Sequence, residues 1–141
     1  MRAMIILLRA LAVWLVIMCV EFIHGVLRAM YLAPLVGDFQ ARQISVLSGS
    51  LLILIIAYLF VRWIRADTIR ALLMVGLVWL ALTVAFELSF GPFSLGLSWE
   101  RIASDYDVLH GGLLPFGLIV LTLSPLIAAK LRGFKNDMIV R

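Results

Sequence analysis

The chain has 141 residues, of which 65% are hydrophobic and only 14% are charged. Soluble domains are typically about 45–50% apolar, so the composition excludes an ordinary soluble protein and indicates a single integral membrane domain over residues 1–141. The formal net charge of +4 does not indicate nucleic-acid binding, because the basic residues flank apolar runs, as the topology signals of membrane proteins do.

Four apolar runs are each long enough to cross a membrane as a helix. Each has about 18–22 residues, which at 1.5 Å per residue covers the ~30 Å hydrocarbon core of a bilayer. Helices satisfy their backbone hydrogen bonds internally, as a lipid environment requires. We therefore predict an all-α membrane protein, a four-helix transmembrane bundle. Its predicted spans lie at about residues 8–28, 44–61, 71–90 and 112–129.

The first run resembles a signal sequence, but no A-x-A-like cleavage site follows it. We therefore expect this run to remain as the first membrane helix. The connection after it, residues 29–43, contains Pro34 and Gly37. Asp38 is predicted to cap the N-terminus of the second helix. The second connection, residues 62–70, is short and basic.

The third connection, residues 91–111, contains a predicted amphipathic helix at about residues 98–110. Apolar residues recur at helical spacing along one side of this segment, and charged and hydroxyl residues occupy the other. Ser98 is predicted to cap its N-terminus, with Glu100 in the first turn. We expect this helix to lie in the membrane interface before the fourth span, with Trp99 at the level of the headgroups.

The basic residues are distributed unequally between the two ends of the predicted bundle. The end with the first and third connections carries three arginines, namely Arg28, Arg42 and Arg101. The other end carries nine basic residues: Arg2, Arg9, Arg62, Arg65, Arg70, Lys130, Arg132, Lys135 and Arg141. The positive-inside rule then places both termini in the cytoplasm. The pattern is typical of a multi-pass protein of the bacterial inner (plasma) membrane, with the lipid bilayer as a partner.

Ionisable residues interrupt the apolar helices near the predicted outer end. Glu21, His24 and Arg28 lie within a sector of about 60° on the first helix. Glu87 occurs near the same end of the third helix. Charged side chains at membrane depth are costly and usually face a partner or a water-filled cavity. We therefore expect these residues to face the interior of the bundle and to define a candidate site.

Arg42 is placed unfavourably, because it lies in the first turn of the second helix, where the helix dipole disfavours a cation. Its face also carries Ser45 and Gly49, small residues that permit close helix approach. We therefore expect Arg42 to reach an acidic partner. The acidic candidates are Glu21, Glu87, Asp105 and Asp107. The full predicted polar cluster is Glu21, His24, Arg28, Arg42, Glu87, Asp105, Asp107 and His110.

Several chemical interpretations of this cluster stay open, including a polar pocket for a small ligand. Its charges could form structural ion pairs that fix helix packing. It could instead bind a metal, because two carboxylate–histidine pairs have the i, i+3 spacing of di-iron bundles. The ligands would then be Glu21, His24, Glu87, Asp107 and His110. Haem between His24 and His110, with Arg28 and Arg42 on its propionates, is a further interpretation.

The sequence contains no phosphate-cradling glycine loop, no Gly-x-Ser-x-Gly motif and no His-Glu-x-x-His motif. The small size of the chain, without a soluble domain, and the polar outer face as a docking surface predict a non-enzymatic accessory or assembly subunit of a larger membrane complex. The alternative is a homo-oligomeric membrane protein that handles a small ligand, an ion or protons through Glu21 and Glu87. A third hypothesis is a redox membrane protein that binds metal or haem through His24 and His110.

Overall fold

The computed structural model describes residues 1–133, and these residues fold as helices joined by short turns. The helices are α1 (Arg2–Leu27), α2 (Ala33–Val36), α3 (Asp38–Ile64), α4 (Ile69–Ser94), α5 (Trp99–Tyr106) and α6 (Leu114–Leu131). A π-helical turn, Arg28–Leu32, makes α1 and α2 continuous, and a 3₁₀ turn, Val108–His110, follows α5. By length and composition, four helices could cross a membrane: Arg2–Val36, α3, Ile69–Phe93 and α6.

The predicted first connection, residues 29–43, is wrong, because the helix continues through most of it. The π-helical turn and α2 carry the first helix to Val36, and Gly37 alone separates it from α3. Gly37 has φ +92°, a conformation that glycine adopts without steric cost. Gly37 also occupies the N-cap position, so the prediction that Asp38 caps α3 is wrong. Asp38 is instead the first helical residue, where a carboxylate still interacts favourably with the helix dipole.

The four long helices form a bundle in the cyclic order α1, α3, α6, α4, in which each helix packs against two neighbours. Gly76 lets α4 approach the backbone of α6 closely at Thr122. Across α1 and α4, the Trp79 indole donates a hydrogen bond to the Ala10 carbonyl at 2.8 Å. The fully buried residues of the core include Val13, Ile17, Val61, Leu72, Val75, Leu121 and Ala128.

The outside of the bundle is apolar, which is the reverse of a soluble helical bundle. Large hydrophobic side chains are exposed along all four long helices, for example Leu8, Leu15, Phe22, Leu51, Leu59, Leu77, Phe116 and Ile119. Small residues such as Ala10, Ala57, Ser124 and Ala129 are fully buried among the larger side chains of the interior, as expected where helices associate by close packing in lipid. The architecture therefore agrees with the predicted helical membrane protein.

The connections lie at opposite ends of the bundle. At one end, Arg2 pairs with Asp67, and the Arg62 guanidinium donates to the Arg132 carbonyl at 2.9 Å. This brings together the N-terminus, the turn between α3 and α4, and the end of α6. The opposite end, which we term the α5 end, contains Gly37 and α5.

The amphipathic helix α5 begins one residue after Ser98, whose hydroxyl accepts a hydrogen bond from the Arg101 amide at 3.1 Å. The α-helix ends at Tyr106, so the segment predicted as one helix over about residues 98–110 is an α-helix followed by a 3₁₀ turn. Gly111 then adopts φ +92° and reverses the chain into α6. This reversal packs Gly112 against the backbone of Ser104, so α5 folds back on the start of α6.

Candidate functional site

Glu21 lies on α1 at the interface with α3, directly opposite a glycine. A Cβ atom added to Gly49 would lie 2.8 Å from Glu21 Oε2, so the carboxylate occupies space that only glycine leaves free. The Glu21 side chain is 25% exposed, and its Oε1 atom is buried without a hydrogen-bond partner in the described part of the chain. A buried carboxylate oxygen without a donor is rare in native proteins and requires a physical explanation.

His24 connects Glu21 to α3. Its Nε2 atom lies 2.8 Å from Ser48 Oγ, a hydrogen-bond distance between α1 and α3. Its Nδ1 atom lies 3.6 Å from Glu21 Oε2, which is too long for a good hydrogen bond. Ser48 Oγ can also donate to the Ile44 carbonyl at 3.3 Å. His24 therefore has a firm hydrogen bond across the helix interface and only a loose electrostatic contact with the neighbouring carboxylate.

The second carboxylate, Glu87 on α4, is hydrogen-bonded to α5. The Tyr106 hydroxyl donates to Glu87 Oε2 at 3.1 Å. Burial raises the pKa of the Tyr106 phenol, and the neighbouring Glu87 charge raises it further, so the phenol remains a donor. The charge of Glu87 also acts on Glu21. The α5 end therefore contains two carboxylates, one at the interface of α1 with α3 and one bonded to α5.

Arg42 does not reach either of these carboxylates. Its Nη1 atom lies 2.5 Å from Asp105 Oδ1 on α5, and its Nε atom lies 3.1 Å from Asp38 Oδ2. The Nε contact is an ion pair without hydrogen-bond geometry, since Nε has no hydrogen-bond partner. Arg101 Nη2 also lies 3.2 Å from Asp38 Oδ1. These four residues form what we term the ion-pair network, which joins α3 to α5.

Arg28 lies at the junction of α1 and the π-helical turn and forms no ion pair within 4 Å among residues 1–133. Its guanidinium folds back along α1, so that Nη2 lies 3.8 Å from the position of a Cβ on Gly25. The Arg28 charge nevertheless acts on Glu21 and His24. π-Helical turns are often found at functional sites, and this one lies one helical turn beyond His24.

Asp107 and His110 form a separate pair at the surface. Their Oδ2 and Nδ1 atoms lie 2.7 Å apart, and the His110 side chain is 80% exposed. The structure therefore does not bring His110 to His24, and the haem arrangement predicted between them is not formed. The five predicted metal ligands are not gathered either: within residues 1–133, no three histidine, cysteine or carboxylate side chains are arranged to hold a metal ion.

Sequence reasoning missed the polar role of two serines on α3. Ser48 bonds to His24. Ser45 is only 7% exposed. Ser45 was expected only as a small residue that permits close packing. The sequence contains a signal for this role, because the two serines are three residues apart on the helix face that also carries Gly49. Tyr106 is likewise a partner of Glu87 as well as an aromatic residue of α5.

No protein-family model matches the chain, and no curated protein or solved structure is significantly similar to it. Two carboxylates, one imidazole and several hydroxyls are arranged at the α5 end. Such a set is suited to bind and release protons or small cations.

Proposed function

We propose that this protein is a multi-pass protein of the bacterial inner membrane that binds and passes protons or small monovalent cations. Glu21 and Glu87 are the ion-binding groups, at the outer end of the helical bundle. The observation that carries this proposal is the Glu21 Oε1 atom, which is buried in the helix interface and has no hydrogen-bond partner. Carboxylates at membrane depth that face a bundle interior are characteristic of ion and proton pathways.

The distribution of cations favours this function over a purely structural cluster. If the polar residues served only to lock the helices, the available arginines would be expected to pair with the deepest carboxylates. Instead, Arg42 and Arg101 are engaged by Asp38 and Asp105. Within the described chain, Glu21 has only His24 as a basic neighbour inside 4 Å.

The orientation follows from the basic residues. Within residues 1–133, seven lysines and arginines belong to the end with the N-terminus and three to the α5 end, and the positive-inside rule then assigns both termini to the cytoplasm. Lys135 and Arg141, which the sequence assigns to the same end, lie outside the described residues. The α5 helix would then lie in the outer membrane interface. Cysteine accessibility to a membrane-impermeant reagent at Leu109, which is 93% exposed, tests this orientation. Labelling of Leu109→Cys only after permeabilisation would reverse it.

Reconstituted vesicles test the function. Liposomes with an internal pH dye are given a potassium diffusion potential, and the initial rate of proton entry is measured. Glu21→Gln and Glu87→Gln should each lower the rate at least ~10-fold, because each removes a group that can carry charge. Asp107→Asn, a change at the exposed pair, is the matched control. The variants should keep the wild-type circular dichroism. Wild-type rates in the double Gln variant would refute the proposal.

A specific observation favours an accessory or assembly subunit as a second function. Apolar side chains are exposed from the end of α4 to the turn before α6, namely Phe93, Leu95, Trp99 and Leu109. A polypeptide partner could cover them at the outer face. Native mass measurement after extraction in mild detergent distinguishes the two functions. Additional polypeptide mass would favour the subunit, and a homo-oligomer without other chains would favour the ion-handling protein.

A further inference from the structure

Two buried oxygen atoms on facing helices lack hydrogen-bond partners among residues 1–133. One is Glu21 Oε1 on α1, and the other is Ser45 Oγ on α3. Ser45 is only 7% exposed, so water outside the bundle does not solvate its hydroxyl. Unsatisfied buried groups of this kind are costly and commonly mark the place of a bound water or ion.

The helix register directs the two oxygen atoms toward the same interface. Ala41, Ser45 and Gly49 follow one another at i, i+4 and are all buried, so they form one inward-facing stripe of α3. Gly49 is the residue against which the Glu21 carboxylate packs. Ser45 therefore faces α1 one helical turn from this contact, toward the α5 end. The two atoms are not hydrogen-bonded to each other, because neither has any partner.

We propose that a small alkali-metal cation of the Na⁺ class binds between α1 and α3, with Glu21 Oε1 and Ser45 Oγ among its ligands. This assignment rests on the proposed function and names the ion for the Glu21 site. Carboxylate and hydroxyl oxygens are the ligands that hard cations prefer. A single positive charge also neutralises the Glu21 carboxylate. Among the described residues, only His24 is a basic group within 4 Å of this carboxylate.

A proton or a divalent ion suits the same atoms less well. A proton on Glu21 would neutralise the charge, but Ser45 Oγ would still have no partner. Divalent ions generally require several carboxylate or imidazole ligands, and residues 1–133 contain no such group of three. Around Glu21, α1 contributes His24 and Arg28, α4 contributes the Glu87 charge, and the facing stripe of α3 contributes no charge.

Thermal unfolding of the full chain in detergent tests the cation site. Tryptophan fluorescence is followed in NaCl and in choline chloride at equal ionic strength. Na⁺ should raise the melting temperature by about 5–10 °C at ~100 times its dissociation constant, and the effect should saturate, because a ligand that binds only the folded state stabilises it by mass action. Equal melting temperatures in the two salts, as expected for a bridging water alone, would overturn the proposal.

Three variants locate the effect. Glu21→Gln should abolish the Na⁺-dependent shift, and Ser45→Ala should raise the half-maximal Na⁺ concentration at least ~10-fold. Ser50→Ala is the matched control on the same helix, because its hydroxyl already bonds to the Val46 carbonyl at 2.5 Å, and it should keep the full shift. A shift that persists in both Glu21→Gln and Ser45→Ala would place the cation elsewhere and refute the assignment.

The cation site and the proposed function can fail separately. If Glu21→Gln abolishes proton entry into vesicles but wild-type stability is the same in Na⁺ and choline, the proposed function stands and the cation site is wrong. A saturable Na⁺ shift that depends on Glu21 and Ser45, in a protein that passes neither protons nor Na⁺ into vesicles, supports the site and refutes the transport function. Line broadening of the ²³Na resonance by the wild-type protein, absent with Ser45→Ala, gives a readout that does not depend on unfolding.

Discussion

Replacing Gly76 with alanine should destabilise the bundle more than any other Gly→Ala change within the long helices. A Cβ atom at this position would lie 1.8 Å from the Thr122 carbonyl oxygen and 2.8 Å from its carbonyl carbon. Real Cβ contacts essentially never fall below 3.0 Å, so α4 and α6 must separate by about 1 Å. The obstructing atoms belong to the helix backbone, so no side-chain rotation can relieve the overlap.

The cost of this separation can be estimated. Overpacking a well-packed interior typically costs about 1–3 kcal/mol, and a backbone contact should reach the upper limit. A gap of about 1 Å along the interface also removes a quarter to a half of the dispersion attraction there. Alanine regains about 1 kcal/mol of helix propensity relative to glycine. The net loss in the free energy of unfolding should therefore be about 2 kcal/mol or more.

Reversible unfolding in mixed detergent–SDS micelles, followed by far-ultraviolet circular dichroism, measures this loss. Gly91→Ala is the matched control on the same helix, because its Cβ would meet only the side chains of Ile102 and Leu97 at 3.6 Å. That variant should unfold at the wild-type midpoint or slightly above it. Equal midpoints for Gly76→Ala and Gly91→Ala would refute the inferred backbone contact between α4 and α6.

Three further predictions concern polar contacts. Trp14→Phe should lower the free energy of unfolding by about 1–3 kcal/mol in the same assay, because the buried Thr83 hydroxyl loses the indole donor at 3.0 Å. Adding Thr83→Val should recover most of this loss. No recovery would contradict a stabilising hydrogen bond between the two residues. Arg42→Gln should speed amide hydrogen exchange in α5, because the ion pair to Asp105 holds that helix; unchanged exchange would contradict this. The raised pKa of the Tyr106 phenol predicts that wild type and Tyr106→Phe give identical absorbance titrations up to about pH 11. The stability of the wild type should fall as pH rises above about 10, because the phenol of the unfolded chain ionises first. A difference between the two titrations below about pH 11 would contradict the raised pKa.

The long helices could be predicted from sequence because lipid imposes a minimum length of apolar residues that few other structures need. The first connection could not. Residues 29–36 continue the apolar run, but the sequence predicts them as part of a connection that contains Pro34 and Gly37. Proline is tolerated in the first turn of a helix, and the π-helical turn at Arg28–Leu32 resets the helix so that Pro34 falls in the first turn of α2. One glycine then suffices to reverse the chain.

The site was only partly predictable for a related reason. Glu21 and His24 are neighbours because helical geometry places i and i+3 on one face, and the sequence contains that spacing. Which residue faces them depends on the register of α1 against α3, and the sequence of one helix does not determine this. His24 consequently has Ser48 as its partner. His110 lies beyond Tyr106 in a 3₁₀ turn, and this turn directs its side chain to the surface.

The charges of the α5 end divide into two groups with different physical roles. In the ion-pair network, two arginines balance two aspartates near the edge of the bundle, where partial solvation limits their contribution to about 1 kcal/mol per pair. In the interior, Glu21 has a histidine neighbour and the more distant charge of Arg28, and Glu87 accepts a hydrogen bond from Tyr106. Neutralising Asp38 or Asp105 should therefore loosen α5 without altering the proposed ion binding at Glu21. Neutralising Glu21 should leave the docking of α5 intact, because none of the ion pairs between α3 and α5 involves Glu21. The same defect after neutralisation of Glu21 and after neutralisation of Asp38 or Asp105 would indicate one extended cluster. It would contradict an ion-pair network that is separate from the proposed binding site.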